Sequence, residues 1–250
     1  MKKTPDNPEI EQELTNYRVR GIVERNLVPS SQFIYGFAGI NGLLGKEFER
    51  YPFGISIGRR LDDDIVDAIK QGPTLDYYEH YRNINFELGT IAANICRELE
   101  INQISCIQIA PTFSLSDKEF KPYLKNLRYK VSHKMIATRA GLGWIGKTDL
   151  FVSRAFGPRV RLTSILVNKP LELLQQPVDK SQCGKCKICV EKCPAQAATG
   201  DPWDISTDRD RFFNARKCYE KCGEQGKLLL HPGIRICGIC VSVCPLGKTL

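Results

Sequence analysis

Nine of the 11 cysteines fall between Cys183 and Cys244, and their spacing is that of a cluster ligand set. Cys183, Cys186, Cys189 and Cys193, followed by Pro194, read C-x2-C-x2-C-x3-C-P, the bacterial ferredoxin run for [4Fe–4S] clusters. Three thiolates two residues apart wrap a tight loop over three irons of a cube, and the fourth points to a different cluster. A second set is present. Cys237, Cys240 and Cys244, followed by Pro245, repeat the latter part of the first run, with Cys218 and Cys222 upstream. The expected wiring crosses over. Cluster one takes Cys183, Cys186, Cys189 and Cys244, while cluster two takes Cys193, Cys237, Cys240 and one of Cys218 or Cys222. Structural zinc is the plain alternative. Zinc sites use two separated cysteine pairs and leave the third close cysteine and the prolines unexplained. The leftover thiol, Cys222 by preference, is then a free thiol or an alternative ligand.

The rest of the chain must position these thiols. Its 250 residues make one large domain or two modest ones, and 42% hydrophobic with 26% charged residues is ordinary for a globular protein. Disordered, collagen-like and membrane-bundle chains are excluded. No run reaches the ~18 apolar residues of a membrane span. The polar start Met1-Lys-Lys-Thr-Pro-Asp predicts no signal peptide. An odd cysteine count without an export signal argues against a disulfide scaffold and for a cytoplasmic location. The net charge of +8 permits an anionic partner without requiring one.

Asn7-Pro8-Glu9 predicts a helix start, running to about Glu24. Strands are expected at Tyr51–Ile57, Ile104–Ala110, Leu150–Val152 and Arg159–Val167, the last of them alternating. Asp62–Lys70 reads as a short helix. Thr74 caps a long helix whose apolar face is Tyr81, Ile84, Leu88, Ile91, Ile95 and Leu99. Ser132 caps a helix that ends at Gly141. The fold expected is an α/β or α+β layered domain over 1–172, a linker in Leu171–Gln182, and a ferredoxin-like double [4Fe–4S] domain over 173–250. The second part has little apolar core of its own and needs metal to fold.

Gly141-Leu142-Gly143-Trp144-Ile145-Gly146-Lys147-Thr148 matches two nucleotide motifs, the P-loop and the dinucleotide fingerprint. Both demand a strand before and a helix after. Here a capped helix precedes and a strand follows, so neither reading holds. Three glycines in six residues still require close backbone approach, to a ligand or within a tight turn packed under Trp144.

Ser132 to Lys147, then a strand, then the paired cysteine runs, resembles the epoxyqueuosine reductase family, itself similar to the reductive dehalogenases. The resemblance covers roughly Tyr77 to Pro245. It implies two [4Fe–4S] clusters beside a cobalamin held by the N-terminal domain, with electrons passing from clusters to cobalt to substrate. It implies that Gly141, Leu142, Gly143, Trp144, Ile145, Gly146 and Lys147 line the corrinoid pocket, and that Cys218 is the lone upstream ligand. It also implies an electron donor protein of ferredoxin or flavodoxin type and a tRNA partner. The family's proton-donating aspartate has no counterpart in Asn126–Val131, and its further segment after the last Cys-Pro is not expected here.

His133 or Tyr129 could replace the missing acid; the plain reading of His133 is a surface or capping residue. Lys118, Lys121, Lys125, Arg128, Lys130, Lys134 and Arg139, with Phe120, Tyr123 and Tyr129 among them, form either an RNA-binding face or a solvated basic face. Tyr77, Tyr78, His80 and Tyr81 read as packing. The sequence thus predicts an iron–sulfur oxidoreductase acting through a corrinoid on epoxyqueuosine or another substrate. The reading from another class is a non-catalytic electron-transfer protein.

Overall fold

A computed structural model of the chain describes residues 8–112 and 117–248. The expected cap Asn7 and the side chain of Lys118 lie outside the described residues. Helix α1 is Pro8–Asn26, followed by β1 (Phe33–Gly39), β2 (Phe53–Arg60), α2 (Asp63–Asp67), α3 (Leu75–Ile101) and β3 (Cys106–Ile109). Next come α4 (Asp117–Asn126), α5 (His133–Arg139), β4 (Gly143–Ile145), β5 (Phe151–Ser153) and β6 (Val160–Val167). The cysteine-rich part holds α6 (Ile188–Glu191), α7 (Arg209–Phe212), α8 (Ala215–Leu229) and α9 (Ile239–Ser242).

Four strands make one sheet in the order β1-β2-β6-β3, and every neighbouring pair is antiparallel. Strands β4 and β5 pair separately. Of the two layered classes expected, the antiparallel sheet with separate helices is the α+β one. Val19, Ile22 and Val23 of α1 and Ile84, Leu88, Ala92, Ile95 and Leu99 of α3 cover one face, over Ile55, Ile57 and Ile165. Ile136, Ala137 and Ala140 of α5 cover the other, over Leu162 and Leu166. With both faces covered, β6 is buried almost throughout and not alternately. The predicted caps are in place: Thr74 Oγ1 accepts from Tyr77 N at 3.2 Å, and Ser132 Oγ accepts from Met135 N at 3.3 Å.

The cysteine-rich part shares these cores. Ile236 and Val241 join the first, and Ala197, Phe212 and Phe213 the second. The expected linker is anchored as well, since Leu171 and Val178 are buried and Val178 N donates to Thr138 O at 2.9 Å. Arg159 is 0% exposed and ties three pieces together. Its guanidinium meets Asp63 Oδ1 at 2.9 Å, Asp67 Oδ1 at 2.5 Å and, at 3.4 Å, the carbonyl of Ser242 in α9.

Several elements were not expected, among them β4, where the sequence reads as a turn, and the 15-residue α8. Strand β1 (FIYGFAG) contains two glycines, which weaken the strand signal. Gly36 is nonetheless required, because a Cβ there would lie 3.0 Å from the carbonyl oxygen of Ala140 where α5 ends. Helix α4, with Pro122 inside it, was also unforeseen. No helix among the described residues is long and apolar enough to cross a membrane.

Candidate metal centre

None of the 11 cysteines is in a disulfide. Cys244 has Cys189, Cys183 and Cys186 as electrostatic neighbours, and Cys240 has Cys218, Cys237, Cys189 and Cys193. Helices α6 and α9 pack side by side, bringing the two runs together. The chain therefore brings Cys244 toward the first run and Cys193 toward Cys240, with Cys189 near both. Burial pushes the Cys240 thiol far up and Cys244 to about 11, and neighbouring thiols add to both shifts. Cys237, held down to about 7 mainly by its hydrogen bond to Cys222, and Cys218 shift the other way, so the group is mixed, and Cys240 and Cys244 do not ionise unaided. The group suits bound iron, whose charge holds coordinating thiols deprotonated. Among the described residues no three Cys, His, Asp or Glu side chains meet around a single-ion position.

The glycine string cradles the first cysteine loop. Helix α5 stops at Ala140, and Gly141 turns the chain at φ +73° into β4. Gly143 faces β5 so closely that a Cβ would lie 2.1 Å from Val152 O. Trp144, packed against Val152 and Val178, donates from Nε1 to Cys183 Sγ at 3.3 Å. Lys147 is 3% exposed, and its ammonium donates to Gly184 O at 2.8 Å and Cys186 O at 2.9 Å. Thr148 hydrogen-bonds Cys189. A helix–strand–turn–strand order replaces the strand–loop–helix of a nucleotide site. All seven residues from Gly141 to Lys147 are buried, and the polar atoms of Trp144 and Lys147 turn to the cysteine loop.

His133 is held by protein groups on both ring nitrogens. Nε2 donates to Ala110 O at 2.9 Å, which leaves Nδ1 to accept from Ser164 Oγ at 2.9 Å. Burial lowers its pKa to about 4. This neutral ring joins α5 to the sheet, and the bonds it makes are structural. Tyr129 stacks on Tyr123 at 4.7 Å, and burial pushes its phenol up, making it a weaker acid. The basic face is largely neutralised. Arg128 pairs with Asp208 and Asp210, Lys130 with Glu47, Lys134 with Asp149 and Arg139 with Asp179.

Sequence reasoning missed a polar group beside cluster two. Arg161 of β6 lies 4.2 Å over the Tyr81 ring and donates from Nε to Asn85 Oδ1 at 3.0 Å. Asn85 Nδ2 donates to Thr112 Oγ1 at 2.7 Å, and the Tyr81 hydroxyl meets the same oxygen at 3.2 Å. Burial pushes the Tyr81 phenol up, but the Arg161 charge and these hydrogen bonds outweigh it and hold the pKa below its ordinary value. Tyr77, buried against Gly238, has Arg161, Cys240, Tyr81 and Cys237 as electrostatic neighbours. Tyr129 has Tyr123, Tyr81 and Tyr219 as electrostatic neighbours. The signals in the sequence were the tyrosine group at the start of α3 and an arginine in a mostly uncharged strand.

Residues 182–247 match a family described as a 4Fe-4S double cluster binding domain. The chain is 34% identical over 124 residues to an epoxyqueuosine reductase of Lactococcus garvieae (strain Lg2), covering 45% of this chain and 31% of that protein. A structure reported as suggesting a mechanism for B12-dependent dehalogenation superposes with a TM-score of 0.61 at 16% identity, covering 86% of this chain and 30% of that one. An epoxyqueuosine reductase solved with a modified tRNA-Tyr stem loop superposes with a TM-score of 0.52 at 16% identity, covering 96% and 65%. The chain spans 31% of each of the first two curated relatives and 23% of the third, a tetrachloroethene reductive dehalogenase of Sulfurospirillum multivorans. In fold, and in sequence over 45% of its length, this chain is similar to the epoxyqueuosine reductases and the reductive dehalogenases.

Proposed function

We propose that the protein is an iron–sulfur oxidoreductase that passes single electrons through two [4Fe–4S] clusters to a corrinoid for reductive chemistry. The crossed grouping of the cysteines is the observation that carries it. Cys183, Cys186, Cys189 and Cys244 would hold cluster one, and Cys193, Cys218, Cys237 and Cys240 cluster two. In this reading residues 1–172 serve the corrinoid and 173–250 the clusters.

Exposure supports a direction for the electrons. Cys186 is exposed, and Lys185, Lys187 and Lys192 stand exposed around the first loop. This is the face for an acidic donor protein of ferredoxin or flavodoxin type. Cluster two lies deeper, next to Tyr77, and electrons leave on that side. The tyrosines near Tyr81 offer flat faces that suit a macrocycle, and Arg161 with Tyr81 offers a charged and an acidic group at its edge. When bound, the corrinoid supplies a cobalt that accepts electrons one at a time and carries the bond-breaking chemistry. Trp144, Lys147 and Thr148 fix the first cysteine loop, so the Gly141–Lys147 string would serve the relay through cluster one, and its backbone would be what a corrinoid meets on that side. Tyr81, eased toward ionisation by Arg161, holds the proton that a reductive cleavage consumes. The substrate class proposed is the epoxyqueuosine nucleoside of tRNA, on the similarity above; the nine gathered thiols favour a reducing compartment such as the cytoplasm.

Anaerobic reconstitution with iron and sulfide, followed by cobalamin titration read by absorbance and EPR, tests this. About eight irons per chain and a base-off cob(II)alamin signal are expected. Eight irons with cobalamin left free would leave an electron-transfer protein; zinc in place of iron would end the relay reading.

A further inference from the structure

Cluster two is offered five thiols for four irons, and the arrangement of the fifth is specific. Helix α8 places Cys218 and Cys222 four residues apart, on one face and within about 6 Å of each other at Cβ. The Cys222 thiol hydrogen-bonds both Cys218 and Cys237. Its backbone is fixed there too: Cys222 O accepts from Ile236 N at 3.3 Å, directly before Cys237. Two glycines bring the helix this close. A Cβ on Gly226 would lie 2.0 Å from Ile234 O, and one on Gly223 would meet the Arg235 guanidinium, whose Nη1 also donates to Tyr219 O at 3.3 Å. Two glycines inside a 15-residue helix disfavour the helix. What they achieve is the apposition of α8 with the Ile234–Cys237 segment.

We infer that Cys222 is an interchangeable ligand of cluster two, able to take the iron held by Cys218. The inference rests on the two-cluster reading above. In the exchange the bond from iron to Cys218 sulfur breaks and one from iron to Cys222 sulfur forms. The Cys222 proton passes along the existing hydrogen bond to Cys218, and no electron changes hands. The consequence is a cluster that keeps all four irons when one ligand is lost to oxidation.

Iron counts and EPR of reconstituted protein test this without an activity assay. Wild-type protein and Cys222→Ala should each hold about eight irons. Cys218→Ala should also hold about eight, with altered g-values for one cluster only, and Cys218→Ala/Cys222→Ala about four. Four irons in Cys218→Ala alone would overturn the exchange. Wild-type protein lacking cluster iron would overturn the two-cluster reading, and the exchange with it. A second measurement needs no variant. Brief iodoacetamide treatment of the native wild-type holoprotein, followed by peptide mass spectrometry, should find label on Cys218 in some molecules and on Cys222 in others. Label on Cys222 only overturns the inference.

Discussion

Trp144→Phe keeps an aromatic ring against Val152 and Val178 and deletes one hydrogen bond, the 3.3 Å contact from Nε1 to Cys183 Sγ. Donors aimed at cluster sulfur favour the more negative, reduced state and raise the potential. A hydrogen bond to a charged group is worth roughly 1.5–3 kcal/mol. An added electron is shared over the whole cube, so only part of that separates the two redox states, on the order of 1 kcal/mol. With ~59 mV and ~1.4 kcal/mol per tenfold for one electron, the potential of cluster one should fall by about 40 mV. Cluster two, whose cysteines are remote from the indole, should hold its potential. Anaerobic potentiometric titration monitored by EPR resolves the two Nernst steps, and iron content confirms that both clusters are loaded. A first-cluster potential that stays within about 10 mV, or an equal fall in both, refutes the argument that this indole tunes Cys183.

Lys147→Met keeps the volume of the stem and removes both donors to the carbonyls of Gly184 and Cys186. The first loop should release iron to a chelator at least about tenfold faster, the equivalent of ~1.4 kcal/mol, with cluster two retained. Arg159→Leu removes the buried partner of Asp63 and Asp67, which keep Arg60 and Lys248, and should destabilise the protein by about 1.5–3 kcal/mol, read as a lower urea midpoint. The pKa of His133 falls on folding, from 6.5 to about 4, so the unfolded chain binds the proton first as pH drops. Stability is unaffected above pH 6.5, declines between 6.5 and about 4 by about 3 kcal/mol, and loses nothing further below that. His133→Gln should flatten this slope in urea titrations at several pH values; an unchanged slope would assign it to other groups.

The cysteine spacing was legible because ligand reach is local. Three thiols two residues apart commit a loop to one cube whatever surrounds it. The capped helices were legible for the same reason. Thr74 and Ser132 satisfy orphan N–H groups within their own turn, so sequence alone placed both starts. Strand β1 was not legible, because its Gly36 answers to the end of α5, an element about a hundred residues away whose packing no local pattern announces. The alternation read into β6 failed for a related cause, since helices on one face and the α5 layer on the other leave no polar side for the strand to show.

The glycine string shows where motif reading stops and physical context decides. Gly141–Thr148 carries the residue types of a phosphate loop, and the lysine is where a phosphate-binding lysine would be. An ammonium that is 3% exposed must find acceptors, and the nearest are the carbonyls of Gly184 and Cys186 in the first cysteine loop. Those carbonyls in turn need donors, because a loop wound tightly enough to aim three thiols at one cube has no regular ladder to satisfy its backbone. The lysine meets that need from the turn after β4, and the indole N–H and the Thr148 hydroxyl reach the Cys183 and Cys189 sulfurs. The close β4–β5 approach that Gly143 permits lets the strand lie flat beneath the loop. The string and the cysteine run are therefore halves of one device: neither satisfies its own polar groups, and each supplies what the other lacks.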